Sequence, residues 1–326
     1  MTLSAILDQA PKARTTSRSR VAQRAVMLLV VALAVLLPSF VYPVFLMKVA
    51  CYAMLALSFN LLLGFGGLLS FGHAAYFGLA SYVSAYSAKH LGVTPEIAIL
   101  AGTGAAVLLA VPFGALSIRR QGIYFAMVTL ALAQMVFFFC IQATGFTGGE
   151  DGIQAVPRGQ LFGLIDLADD RNLYIFVAVI FIGVLALIYR IIHSPYGQAL
   201  RAIRDNEMRA ASLGFKPDRL KLQAFVISAG IAGLGGATKA IVFQLATLND
   251  VHWSMSGEAV LMTMIGGLGS VFGPVIGAAI ILSIQNYLAH LEAWVSVIHG
   301  LVFIVVVLAF RRGVIGLPER LLKVKL

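Results

Sequence analysis

The chain predicts an all-α, polytopic transmembrane helical bundle of about ten spans (eight to ten), built as two pseudo-repeated halves with Gly/Pro-interrupted helices. Three observations carry this. Of 326 residues, 60% are hydrophobic and only 12% charged, with a mean hydropathy of +0.92, whereas soluble domains carry about 25% charged residues. Apolar runs of roughly 20 residues, long enough for a hydrocarbon core of about 30 Å, recur along the chain. No segment shows the alternating ten-residue pattern of an outer-membrane barrel, and lipid tolerates only helices or closed barrels.

The spans fall near 25–41, 44–63, 67–88, 96–117, 122–142, 172–192, 220–246, 257–270, 272–290 and 295–311. Segment 1–24 is basic, with Lys12, Arg14, Arg18, Arg20 and Arg24. The apolar run after it outlasts a signal-peptide core and lacks a clear small-residue cleavage site, so it reads as the first span. An even number of crossings puts both termini on one side, and the loop charges say which. Arg119 and Arg120 follow the fourth span, and the basic segment 193–219 follows the sixth; both are expected in the cytoplasm. Loop 143–171 carries Glu150, Asp151, Asp166, Asp169 and Asp170 against Arg158 and Arg171, and is expected in the periplasm. The basic tail 313–326 returns to the cytoplasm, leaving 25–312 as the transmembrane domain. The glycine-broken eighth span and the Gly64–Ser70 region are both open to re-entrant readings.

"GGLLS" at Gly66–Ser70 is echoed by "GGLGS" at Gly266–Ser270. Interrupted apolar segments at corresponding places of two halves point to a transport pathway; the plainer reading is that small residues let helices approach closely. Candidate pathway residues are Asn60, Ser70, His73, Thr129, Gln134, Glu258 and Ser270, polar groups in or beside spans. Glu258 is expected to open the eighth helix, where a carboxylate meets the positive end of the dipole. Lys239 lies near a span end and is expected to snorkel.

Several chemistries lack support. The chain contains no Gly-Lys pair and hence no phosphate loop. The six histidines are scattered and form no metal motif. No catalytic constellation and no cofactor or metal set stands out. The net charge of +10 is spread over termini and loops rather than gathered on one face, which argues against nucleic acid. Cys51 and Cys140 sit in apolar runs as packing residues.

The stretch "GQALRAIRDNEMRAASLGF", Gly197–Phe215, is charged and helix-patterned amid apolar spans. Asp205 or Asn206 can cap a helix beginning near Glu207, Gly214 can end it, and Pro217 lies just beyond. Leu200 and Ile203 share a face of the preceding segment. Two short helices with a bend are expected, offering an Arg/Asp/Glu pattern and a few apolar anchors to a polar groove on another protein; the alternative is a solvated loop.

"SPYGQALRAIRDNEMRAASLGF", "KLQAFVISAGIAGLGGAT", "GGLGSVFGPVIGA", "LLSFGHAAYFGLASY", "GIYFAMVTLALAQ" and "TGGEDGI" resemble the membrane permeases of branched-chain (hydrophobic) amino-acid ABC importers, in the LivM-type subunit. The resemblance spans about residues 45–312. It implies a bacterial inner-membrane subunit that binds no cofactor, with ATP used by two cytoplasmic ATP-binding subunits. It further implies a homologous second permease subunit and a periplasmic or extracellular substrate-binding protein, all in membrane lipid. The matching loop contacts the ATPase in that family, so the coupling set here is Gly197, Leu200, Ile203, Arg204, Asp205, Glu207, Ala210 and Gly214; Ala199 and Ala202 also match. Glu258 matches an acidic position. "LNDVHWSMS" at Leu248–Ser256 and Lys239 depart from the family pattern, which bears on the substrate: related permeases carry amides or urea. An ion-coupled secondary transporter would need paired buried carboxylates at mid-span, and none is visible.

Overall fold

The computed structural model describes residues 41–288 without a break, together with 37–39, 297–298, 300–301, 304 and 313–315. The basic segment 1–24, most of the first and tenth spans, and most of the tail lie outside the described residues.

Helix α1 (Pro43–Asn60) runs on through a π turn at Leu61–Phe65, and α2 is His73–His90. Then come α3 (Pro95–Ser117), α4 (Ile123–Gln142) and α5 (Asp170–His193). Two short helices follow, α6 (Pro195–Asp205) and α7 (Glu207–Ser212), and then α8 (Pro217–Phe243), α9 (Trp253–Gly266) and α10 (Gly273–Tyr287). Among the described residues, five stretches are long and apolar enough to cross a membrane: Pro43–Phe65, α3, α4, α5 and α8. The protein is therefore an all-α, multi-pass membrane protein. Prolines stand in the first turns of α1, α3, α6, α8 and α10, where the missing N–H removes nothing a helix uses.

α8 is the centre of the packing, lying against α1, α2 and α3. Its glycines make this possible: a Cβ on Gly236 would stand 1.9 Å from the Phe77 carbonyl oxygen of α2. With little hydrophobic gain between helices in lipid, such close backbone approach is what holds spans together. α1 and α2 are buried on nearly all sides, whereas α3, α4 and α5 present Leu100, Leu108, Met135, Phe138, Ile175 and Val179 outward.

The 143–171 segment folds into short turns and paired strands. β1 (Ile153–Gln154) pairs antiparallel with β4 (Leu245–Ala246), the residues just past α8, and β2 (Gln160–Leu161) pairs with β3 (Ile165–Asp166). These strands mark one end of the bundle; the α6–α7 elbow marks the other.

Three expectations are corrected. Residues 67–72 are not helical, so the third span starts at His73. α9 starts at Trp253, four residues earlier than expected, and its 14 residues make about 21 Å. Glu258 consequently sits inside α9, not in its first turn, which carries no acidic residue. The reason is that the chain dips into the bundle after β4. Val251 packs where a Gly78 side chain would be, 2.3 Å from that Cβ position. Ser256 Oγ accepts from Ala74 N–H and donates to the Phe71 carbonyl.

Candidate functional site: an elbow seated on two helix breaks

Ser194 opens α6 by accepting the Gly197 N–H at 3.3 Å, and Asn206, in extended conformation, opens α7 by accepting from Arg209 N–H at 2.9 Å. Gly197 has no room for a side chain, since a Cβ would lie 2.5 Å from the carbonyl oxygens of Ile191 and Ile192. Gly214 ends the elbow at φ +89°, a conformation glycine adopts without strain, and Phe215 N–H returns to the Ala210 carbonyl at 3.2 Å. Leu200, Ile203 and Ala210 are buried beneath. The Tyr196 hydroxyl, whose pKa burial raises, donates to the Leu220 carbonyl at 2.9 Å.

The elbow sits on the first helix break. Arg204 Nη1 donates to the Gly64 carbonyl of the π turn, and its alkyl stem fills the space beside Gly67. The Arg201 guanidinium lies 5.0 Å from the Phe65 ring centroid, a cation–π distance. Glu207 pairs with Lys221 Nζ at 2.6 Å and accepts from Gln121 Nε2 at 3.0 Å. Arg204 and Glu207 thus bond within their own chain, while 41% and 29% of their side-chain surface stays exposed. The cause is backbone accounting: an interrupted helix leaves carbonyls that lipid cannot satisfy, and Arg204 satisfies one. Met208 (85% exposed) and Leu213 (72%), with Phe215, occupy the outer face of the elbow. The sequence suggests a few apolar anchors here without naming them, because exposure of an apolar residue has no periodic signature in so short a helix.

The two breaks touch. Asn60 Oδ1 accepts from Gly269 N–H at 3.0 Å, and Nδ2 donates to the Ser270 carbonyl at 2.7 Å. The repeated serines do matching work. Ser70 Oγ accepts from Gly72 N–H at 3.2 Å, and Ser270 Oγ accepts from Gly273 N–H at 2.9 Å, each at the start of the helix that follows. Thr129 Oγ1 accepts from Phe71 N–H at 3.1 Å. His73 Nε2 lies 2.8 Å from Ser228 Oγ, which itself donates to the Ser58 carbonyl. Gln134 is half-buried on α4, and Glu258 accepts from Gln285 Nε2 at 3.2 Å, both apart from this cluster. Asn60 and Ser270 are therefore brought together, as are Ser70 and Thr129 around the start of α2. Ser58, Ser228, Ser256 and Thr263 join these networks unannounced, since a serine on an apolar helix reads the same whether it packs or bonds.

Lys239 does not snorkel. Its Nζ pairs with both Asp250 oxygens at 2.6 and 2.9 Å, and the two side chains are 8% and 3% exposed. Thr247 adds its N–H at 3.1 Å and its hydroxyl at 3.2 Å to the same carboxylate. The dip after β4 brings Asp250 under the end of α8, so the ammonium need not reach the rim. Among the described residues no group of three His, Cys, Asp or Glu side chains is placed to hold a metal.

Residues 43–307 match the family described as the permease component of branched-chain amino acid transport systems. The high-affinity branched-chain amino acid transport system permease protein LivM of Salmonella typhimurium is 26% identical over 251 residues, which cover 70% of this chain and 58% of that protein. LivM of Escherichia coli is 27% identical over 251 residues, with the same shares. The autoinducer 2 import system permease protein LsrC of Photorhabdus laumondii is 26% identical over 138 residues, 40% of this chain and 41% of its own. The aligned part thus spans little more than half the length of the curated LivM relatives. No solved structure matches the chain.

Proposed function

The chain belongs to the family of permease components of branched-chain amino acid transport systems, and from that premise we propose that it is the membrane-spanning subunit of an ATP-driven importer of branched-chain and other hydrophobic amino acids. It forms half of the pathway beside a homologous second permease. An external binding protein delivers the substrate, and two cytoplasmic ATP-binding subunits hydrolyse ATP. The chain resides in the bacterial inner membrane with about ten crossings, loop 143–171 outside and both termini in the cytoplasm.

The observation that carries this reading is the seating of the elbow: Arg204 on the Gly64 carbonyl, Arg201 over Phe65, and Met208, Leu213 and Phe215 turned outward. An element seated on a helix break and apolar on its outer face suits a partner that must move that break. The elbow docks the ATPases through Met208, Leu213 and Phe215, while Gly197, Leu200, Ile203, Arg204, Asp205, Glu207, Ala210 and Gly214 shape and seat it. ATP-driven closure displaces the elbow and the pathway alternates between two arrangements. The similarity to LsrC, an autoinducer 2 import system permease protein, favours a second reading in which the same architecture carries a cargo other than an amino acid.

Two measurements test the proposal. Reconstituted with its partners, the chain is expected to support ATP-dependent uptake of leucine, isoleucine and valine above amides, urea or autoinducer 2; preference for one of the latter overturns the substrate. For orientation, Gln160→Cys is expected to react with an impermeant thiol reagent from outside the cell and Met208→Cys only after permeabilisation. The opposite pattern overturns the topology.

A further inference from the structure

We infer that Asn60 is a positioning residue that ties the two interrupted helices into one unit moved by the elbow, an inference that rests on the importer reading above. Arg204 grips the Gly64 carbonyl. One turn earlier, Asn60 grips Gly269 N–H and the Ser270 carbonyl, at 3.0 and 2.7 Å. Asn60 is 1% exposed, and a Cβ on Gly64 would stand 2.2 Å from Asn60 Oδ1 and 2.8 Å from Gly269 N. First break, carboxamide and second break are therefore in contact without a gap. Residues 313–315 join the same unit, with Val314 N–H on the Ile265 carbonyl at 2.9 Å and Ile315 N–H on the Gly266 carbonyl at 3.2 Å.

The chemistry of the side chain suits this task. A break inside a dry bundle leaves one backbone donor and one backbone acceptor side by side, and a carboxamide supplies the complementary pair. Both contacts are to backbone, so they hold segment 267–270 itself rather than one of its side chains. Close-packed elements move between discrete arrangements rather than stretching. A shift of the π turn driven through Arg204 thus carries the second break with it, and one docking element drives both halves of the repeat.

The test uses the assembled transporter with spin labels at Ala202→Cys on the elbow, Leu268→Cys in the second break and Gln160→Cys at the far end. Ala202, Leu268 and Gln160 are exposed, and the native Cys51 and Cys140 are buried. On adding a non-hydrolysable ATP analogue, the 202–160 and 268–160 distances are expected to change together while 202–268 holds constant. In Asn60→Leu the elbow still moves, 268 no longer follows, and the ATP consumed per leucine imported rises about tenfold. Asn60→Asp, which keeps the acceptor toward Gly269 and loses the donor toward Ser270, is expected to fall between and covers the case in which Asn60→Leu does not fold. A second break that stays still in the unaltered chain, or that follows the elbow equally in both variants, overturns the inference. So does a parallel fall of ATP hydrolysis and uptake, the mark of a merely structural residue. An elbow that does not move with nucleotide overturns the importer reading and this inference with it.

Discussion

Replacing Lys239 with methionine is expected to destabilise the folded protein by about 3–5 kcal/mol, because it strands the Asp250 carboxylate in the bundle. Asp250 is 2% exposed and takes both short contacts from Lys239 Nζ, so the threonine donors alone would face a full charge. Neutralising both partners, Lys239→Met with Asp250→Asn, is expected to restore most of the loss. Asparagine can still accept from Thr247, and a neutral pair avoids the desolvation of two ions. Thermal unfolding of the purified protein in detergent checks this. A single variant as stable as the unaltered chain, or a double variant no better than the single, would contradict the buried-pair account. The pair pins the dip after β4 to the end of α8, and that dip sets where α9 begins.

Much of the bundle was legible because membrane spans announce themselves. The runs at 96–117, 122–142 and 172–192 became α3, α4 and α5 within two residues at each end, since composition alone separates lipid-spanning segments from loops. The elbow's bend was legible as well, because Asn206 and Gly214 are residue types that the cap and stop geometries require. What could not be read was the direction of side chains. Arg204 and Glu207 look like surface charges in one dimension, and only the π turn at Leu61–Phe65 gives Arg204 an inward partner. Lys239 finds a partner eleven residues on, after a strand and a capped turn, a separation without periodic meaning. The repeated Gly-Gly-Leu-x-Ser elements marked both breaks, but their mutual contact runs through Asn60, which lies outside either copy.

The elbow yields the second large effect. Met208 and Leu213 stand outward with little contact to their own chain, so Met208→Asp with Leu213→Asp is expected to leave folding intact. In the proposed docking role, these substitutions are expected to weaken ATPase binding by about tenfold to a hundredfold, the range of apolar anchors at protein interfaces. Arg204→Ala with Glu207→Ala acts differently. It removes the seat on Gly64 and the pair with Lys221, so under the proposed importer reading ATPases are expected still to bind while uptake is lost. The two double variants thus separate docking from transmission. The deciding measurement is the affinity of the purified membrane complex for its ATP-binding subunits, taken alongside uptake. The account predicts lost affinity for the Met208/Leu213 variant and near-normal affinity without uptake for the Arg204/Glu207 variant. Unchanged affinity in the first, with uptake intact in the second, would contradict it.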